Sequence, residues 1–307
     1  MPCFPGNRQF AFTIFDDTDC SNTDNVGPVY KLLCDIGLRT TKSVWPLACA
    51  PGWQFAGSTL QDRQYLSFVQ DLRDNGFEIA LHGMRNADTE REGIYRGLDQ
   101  FERLIGYLPR SHANHDFNRD NLYWGPERLR GKSRRWVYRL ANSFHSVPSQ
   151  GHVEGSPYFW GDLCRKHIMY VRNFVFDKIN LDRIGAAAPY HDFKKPFVNY
   201  WFNSCEGHNE ATLCRLLSEQ NQDQLEADGG VCIVYTHFAN GFVEHGELSS
   251  RFASLMRRLV QKNGWFVPVS TLLDYLRERT LGGAIAPSHL ANLEKRWLLT
   301  KLRVGHT

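Results

Sequence analysis

The chain reads as an α/β protein whose parallel strands close, or nearly close, into a single barrel. Two observations predict this. Seven or eight short apolar, β-branched or aromatic runs alternate with helix-period stripes along 307 residues, and no Pro/Gly/Ser-rich linker divides them.

FAFTIF (10–15) is the first strand. Pro28 suits an early helical position, and Val26, Val29, Tyr30, Leu33 and Ile36 form an apolar stripe that stops at Gly37. RTTKSVW (39–45) follows as a strand. Ser58 is expected to cap a helix with Tyr65, Phe68, Val69 and Leu72 on one face, closed by Gly76. FEIAL is a short strand that delivers His82. Thr89 and Glu92 have capping-box spacing ahead of Ile94, Leu98, Phe101 and Leu104, and Gly106 and Pro109 stop that helix before RSHAN. Further strands are expected near 142–147, 170–176, 231–236 and 265–268, with Phe252, Leu255, Met256 and Leu259 on a helix between the last two. Residues 115–165 and 185–210 read as long, aromatic-rich loops, which in a compact domain tend to carry function.

Composition limits the function. A net charge of +3, from 36 basic and 33 acidic residues, shows no basic stripe and argues against nucleic acid. Eight scattered cysteines (Cys3, Cys20, Cys34, Cys49, Cys164, Cys205, Cys214, Cys232) include no CxxC pair, so reduced thiols in a cytoplasmic protein are expected. No signal-peptide pattern and no ~20-residue apolar run is visible.

The chemistry gathers at strand ends. Asp16 and Asp17 follow the first strand, His82 follows FEIAL, His112 and His115 sit on or just past RSHAN, and His237 follows VCIVYT. In a parallel barrel these ends share one face. Two carboxylates and several imidazoles there suit a divalent metal, Zn²⁺ above others. A carboxylate off the metal would act as general base and a histidine as general acid.

These residues resemble the motifs of the polysaccharide deacetylase family, the NodB-like carbohydrate esterases. TIFDDT stands where the family has Thr-Phe-Asp-Asp-Gly, HGMRN where it has His-x-x-x-His, and IVYTHF is similar to its late Leu-x-His; LIGYLPRSHANH leads into the third motif. The resemblance spans roughly residues 8–275. It implies a distorted (β/α)7-type barrel as a single domain over 1–283, with long loops over the C-terminal face of the strands. It makes Asp16 the general base, Asp17 a metal ligand, His82 the first metal histidine and His237 the general acid. Asn86 replaces the second metal histidine, so His112 or His115 is expected to complete the metal set. SHANHD lacks the family's bracing arginine, and Asp19 is left to cap the turn.

The activity implied is metal-dependent removal of an acetyl group from an N-acetylated sugar, a nucleotide sugar or a lipid-linked precursor. The competing readings are an inactive deacetylase-like barrel used for binding or assembly, and a haloacid-dehalogenase-type phosphatase built on Asp17 and Asp19. Residues 284–307 form a separate feature, an amphipathic basic helix with Leu290, Leu293, Trp297, Leu298 and Leu302 near one side. Docking on the barrel is the expected state of such a face. Peripheral contact with an anionic membrane, or with a partner, is the alternative.

Overall fold

A computed structural model describes residues 4–141, 147–280 and 283–304. Its centre is β1 (Phe10–Asp16), buried along its whole length. All-round burial is what a continuous apolar run predicts for a parallel strand covered on both faces. Along one edge β1 pairs in parallel with β7 (Gly230–Thr236), from Phe10↔Gly230 to Asp16↔Thr236. Its other edge is shared. The start of β1, Phe10–Phe12, pairs with β10 (Gly264–Phe266), and its end pairs with β2 (Thr41–Val44) at Phe15 and Asp16. From β2 the sheet runs through β3 (Glu78–Leu81), β4 (Ser111–His112), β5 (Tyr170–Phe176) and β6 (Tyr200–Glu206) back to β7. The strands therefore close parallel but unevenly, since β3 and β4 meet at the single pair Leu81↔His112. The expected distorted barrel is what forms.

Helices cover the outside: α1 (Thr23–Asp35), α2 (Arg63–Asp74), α3 (Arg91–Ile105), α4 (Lys132–Ala141), α5 (Gly161–His167), α6 (Glu210–Leu216), α7 (Glu219–Asp228), α8 (Ser250–Leu259), α9 (Val269–Arg279) and α10 (Pro287–Val304). A small antiparallel pair, β8 (Val243–Glu244) and β9 (Glu247–Leu248), precedes α8. The core is one cluster running from Phe4 to Leu298.

Several local expectations are corrected. The segment 185–210 is not all loop, because β6 lies within it, with Tyr200 half-buried and the rest buried. Its Asn203, Ser204 and Glu206 hid the strand signal, although Asn203 is buried and uses its amide to bond the Phe174 amide and the Ala186 carbonyl. Ser58 caps nothing, since α2 begins after Asp62. Thr89 does not close a capping box either. Glu90 is the N-cap of α3, and the Thr89 hydroxyl donates to the Ala87 carbonyl. The strand expected near 142–147 falls on residues 142–146, outside the described ones.

At α10, Leu290, Leu293, Trp297 and Leu298 are buried while Leu302 is exposed. The helix packs against β5 and α4. No described helix is long and apolar enough to cross a membrane. The seven described cysteines are free.

Candidate active site

The end of β1 separates its three aspartates. Successive strand residues face opposite sides, so Asp16 and Asp17 cannot both enter the barrel. Asp16 turns outward and is completely engaged. It accepts from Tyr30 of α1 (2.9 Å), from Lys42 of β2 (2.8 Å) and from the Phe238 amide (2.8 Å). Both members of the Asp16–Lys42 pair are inaccessible to solvent. Burial pushes the Asp16 carboxyl up, against the opposing pull of Lys42. The expectation of Asp16 as general base is thus corrected: its oxygens bind the β1–β2–α1 junction and do not line the cavity.

Asp17 faces inward and meets Arg172 of β5 in a two-point grip, at 2.9 and 2.5 Å. Arg172 is aimed by an irregularity, since the β5–β6 register shifts between Arg172 and Val175. Such shifts re-aim side chains beside active sites. The guanidinium lies 4.4 Å from the Tyr235 ring centroid and 5.3 Å from that of Phe15. Burial would raise the Asp17 carboxyl, but Arg172 and then His82 outweigh it and hold it below its ordinary value. SHANHD carries no arginine, and the one that grips a first-strand aspartate lies on β5. Arginine at an inward position of the apolar run YVRNFVF was the available signal.

Asp19 is the centre of the site. His82 Nε2 lies 3.0 Å from Oδ2, His115 Nε2 2.8 Å from Oδ1, and His237 Nε2 3.1 Å from Oδ2. Each ring presents its other nitrogen to an oxygen that can only accept: His82 to the Ala113 carbonyl (3.1 Å), His115 to Asn118 Oδ1 (3.2 Å) and His237 to the His208 carbonyl (3.0 Å). The Asn118 orientation is fixed because its Nδ2 donates to the Arg85 and Ala87 carbonyls. All three Nδ1 atoms therefore carry protons, and a neutral ring turns its Nε2 lone pair on the carboxylate.

Lone pairs facing an anion repel. Either the rings take up protons or a cation lies between them. Burial would raise Asp19, yet His82 and His115 hold it well below the usual carboxylate range. His115 Nε2 is buried and, despite its short distance to Asp19, makes no well-directed hydrogen bond. Asp19, His82 and His115 bring one ligand atom each within 4.8 Å of one another. One carboxylate and two imidazoles held through Nδ1 fit a Zn²⁺-type ion.

The remaining expected residues are placed as follows. His112 is not with the cluster. Its nitrogens sit 3.2 Å from the Leu81 carbonyl and 3.2 Å from Asn114 Oδ1, and burial drives its pKa down to about 3. Its expected part in the metal set is corrected, because His112 neither lines the cavity nor joins the Asp19 group, its nitrogens facing Leu81 and Asn114 instead. Asp17 is engaged at both oxygens by Arg172, yet it also lies within 4.8 Å of Asp19 and His237 in a second possible ligand group, and Asp19 is common to both groups instead of capping the turn. Asn86 uses both ends of its amide on the loop above, accepting from the Ala50 amide (2.9 Å) and donating to the Gln54 carbonyl (3.1 Å).

The cluster opens into a cavity of about 540 Å³, lined by Asp17, Asp19, His82, His115, Arg172 and His237 at its base. Phe55 and Phe117 stand at its edge, 40% and 44% exposed, both with left-handed backbone (φ 63° and 68°). Non-glycine residues in that region store of order 1–3 kcal/mol of strain.

Solved structures with the same fold identify the architecture. Puue allantoinase superposes with a TM-score of 0.52 at 12% identity, over 90% of this chain and 92% of that one. A probable polysaccharide deacetylase from Pseudomonas aeruginosa PAO1 superposes with a TM-score of 0.52 at 11% identity, over 90% and 93%. The chain has the polysaccharide deacetylase fold. No family model matches the sequence, and no curated protein does. In this deacetylase-type barrel the aspartates and histidines described above lie at the C-terminal ends of β1, β3, β4 and β7, where such barrels place their chemistry.

Proposed function

We propose that the chain is a metal-dependent hydrolase that removes an acetyl group from an N-acetylated sugar or glycan precursor. The observation that carries this reading is the division of labour among Asp17, Asp19 and the imidazoles around one cavity. Asp19, His82 and His115 would hold a divalent cation, Zn²⁺ suiting the donor set best. Bound there, the cation would supply Lewis acidity and make a nearby water more acidic.

Asp17 then has the role of general base. Arg172 keeps it ionised and oriented, and each carboxylate oxygen retains a second lone pair to receive a proton. A carboxylate held at low pKa is a weak base, which suffices only when the attacking water is acidified. His237 stands on the other side of Asp19, with Nε2 toward the cavity and Nδ1 anchored on the His208 carbonyl. The balance is simple: the water oxygen bonds to the acetyl carbon, its proton goes to Asp17, the C–N bond breaks, and His237 protonates the departing amine. Acetate and a free amino sugar leave.

The two named neighbours act on different molecules, so the fold leaves the substrate open and the cavity must choose it. The exposed faces of Phe55 and Phe117 suit sugar rings. A cytoplasmic setting, which the free thiols suit, turns the enzyme toward a nucleotide sugar or a lipid-linked precursor.

The test is acetate release by Zn²⁺-loaded protein from N-acetylglucosamine, its oligomers and its phosphorylated forms. We expect release, with a drop of at least about 10²-fold in kcat for Asp17→Asn, the range seen when a general base is removed. Protein that binds Zn²⁺ yet releases no acetate from any of them would overturn the reading.

A further inference from the structure

Arg128 closes a 3-10 turn over Gly125–Arg128 and is 2% exposed. Its guanidinium carbon sits 3.2 Å from the Trp124 ring centroid and 5.1 Å from that of Trp297. The indoles cover its faces, so only its N–H edges remain to bind anything. Two of its three nitrogens, Nε and Nη1, are buried without an acceptor among the described residues. The neighbouring arginines behave differently. Arg130 pairs with Asp192, Arg134 with Glu294 (2.6 Å) and Arg135 with Glu127 (3.0 Å). Leaving a buried charge unpaired costs several kcal/mol, and natural proteins retain such a cost at binding sites.

Arg128 lines the same cavity as the Asp19 cluster, and so does Lys301 of α10. Lys301 has no carboxylate within 4 Å among the described ion pairs, and its ammonium lies 5.8 Å from the Trp297 ring. Burial and the nearby Arg128 bring Lys301 down to about 7, and burial brings Arg128 down to about 10, shifts that an arriving anion would reverse. Asp116 attracts both cations, but no carboxylate of the cavity makes an ion pair with either within 4 Å among the described residues. Asp17 is gripped by Arg172, Asp19 faces three imidazoles, and Asp116 Oδ1 accepts from the Trp124 indole (3.0 Å) and the Phe117 amide (3.1 Å).

Resting on the deacetylase reading of this cavity, we propose that Arg128 and Lys301 form an oxyanion subsite that selects acetylated sugars carrying a phosphate ester or a carboxylate. The planar guanidinium edge gives the directional contact and the ammonium the point charge. It also assigns a task to α10, which brings Lys301 to the cavity and Trp297 against Arg128.

The experiment is calorimetric binding to Zn²⁺-loaded full-length protein, using inorganic phosphate, N-acetylglucosamine 1-phosphate, N-acetylmuramic acid and neutral N-acetylglucosamine. At least one charged sugar is expected to bind tenfold or more tightly than the neutral one, and the tighter of the two identifies the anion. Arg128→Met and Lys301→Met should each cut that affinity, and the affinity for inorganic phosphate, at least tenfold. Arg128→Met should do so with no fall in melting temperature, because it removes an unpaired buried charge. Equal affinity for charged and neutral sugars overturns the subsite, and so does unchanged anion affinity in both variants. If Arg128→Met fails to fold, Lys301→Met with unchanged anion affinity overturns it as well. Phosphate binding that the variants abolish, in protein that releases no acetate, keeps the subsite and removes the deacetylase reading instead.

Discussion

The Asp17–Arg172 pair gives the sharpest quantitative test of the site. Both side chains are buried, Asp17 2% and Arg172 4% exposed, and joined by two hydrogen bonds, so solvent screens their attraction little. Arg172→Met keeps the aliphatic stem against Phe15 and Tyr235 but leaves Asp17 buried without its two-point partner, with only His82 3.7 Å away as a paired group. Breaking a buried pair from one side costs about 3–5 kcal/mol. Removing both charges, in Asp17→Asn/Arg172→Met, leaves no orphaned ion and should recover at least half of that loss. The assay is urea unfolding of the wild type, both single variants and the double variant, at pH 7.5 with chelator present so that metal binding does not enter. A coupling energy of about 2 kcal/mol or more is expected. A loss under about 1 kcal/mol for Arg172→Met, or additive single variants, would refute the claim that Arg172 braces Asp17, and with it the assignment of Asp17 as the held base.

Other consequences can be measured separately. Asp19→Asn and His115→Gln should each strip bound Zn²⁺ by at least about tenfold in affinity, while His112→Gln retains it; plasma emission on dialysed protein distinguishes them. His112 is buried and its pKa is held down to about 3, whereas the unfolded chain protonates it near 6.5. The unfolded state therefore binds the extra proton, and stability falls as pH drops below 6.5, by about 1.5 kcal/mol between pH 6.5 and 5; His112→Gln should lose that portion of the slope in urea titrations. Asn86→Ala should raise KM with little change in kcat, because it frees the 50–54 segment beside Phe55 without touching the Asp19 cluster. Gly151→Ala would put a Cβ 2.1 Å from the Asp120 carbonyl oxygen, and overpacking of this kind typically costs 1–3 kcal/mol in melting experiments.

The barrel was legible because apolar runs and helical stripes alternate without interruption, and the site's location was legible because strand ends in such a fold converge. The individual roles were harder to read. FDDTD shows three carboxylates, but whether position 16, 17 or 19 enters the cavity depends on where β1 stops and which face each residue takes. Lys42 of β2 decides the matter by claiming Asp16, and a lone lysine in TKSVW does not reveal a buried partner. Arg172 lies 155 positions from the Asp17 it grips, and Arg128 joins the same cavity from 111 positions away, neighbours that no local spacing encodes.

Under the deacetylase reading, Asn86 and the HANH segment would let a donor set persist while its sources move. A histidine at position 86 would stand four residues after His82, and the loop after β3 would have to return it to the same centre. Here that loop is pinned elsewhere, since the Asn86 amide holds Ala50 and Gln54. The second imidazole would come instead from His115, three residues past His112 of β4, with its ring held by Asn118. A cation senses donor type and position, not the strand that supplies the donor. Loss of the usual histidine is therefore weak evidence for an inactive barrel, and the same reasoning applies to the arginine that β5 supplies. What would mark an inactive barrel is a cavity whose charges are all mutually satisfied. This one leaves two Arg128 nitrogens buried without hydrogen-bond partners among the described residues.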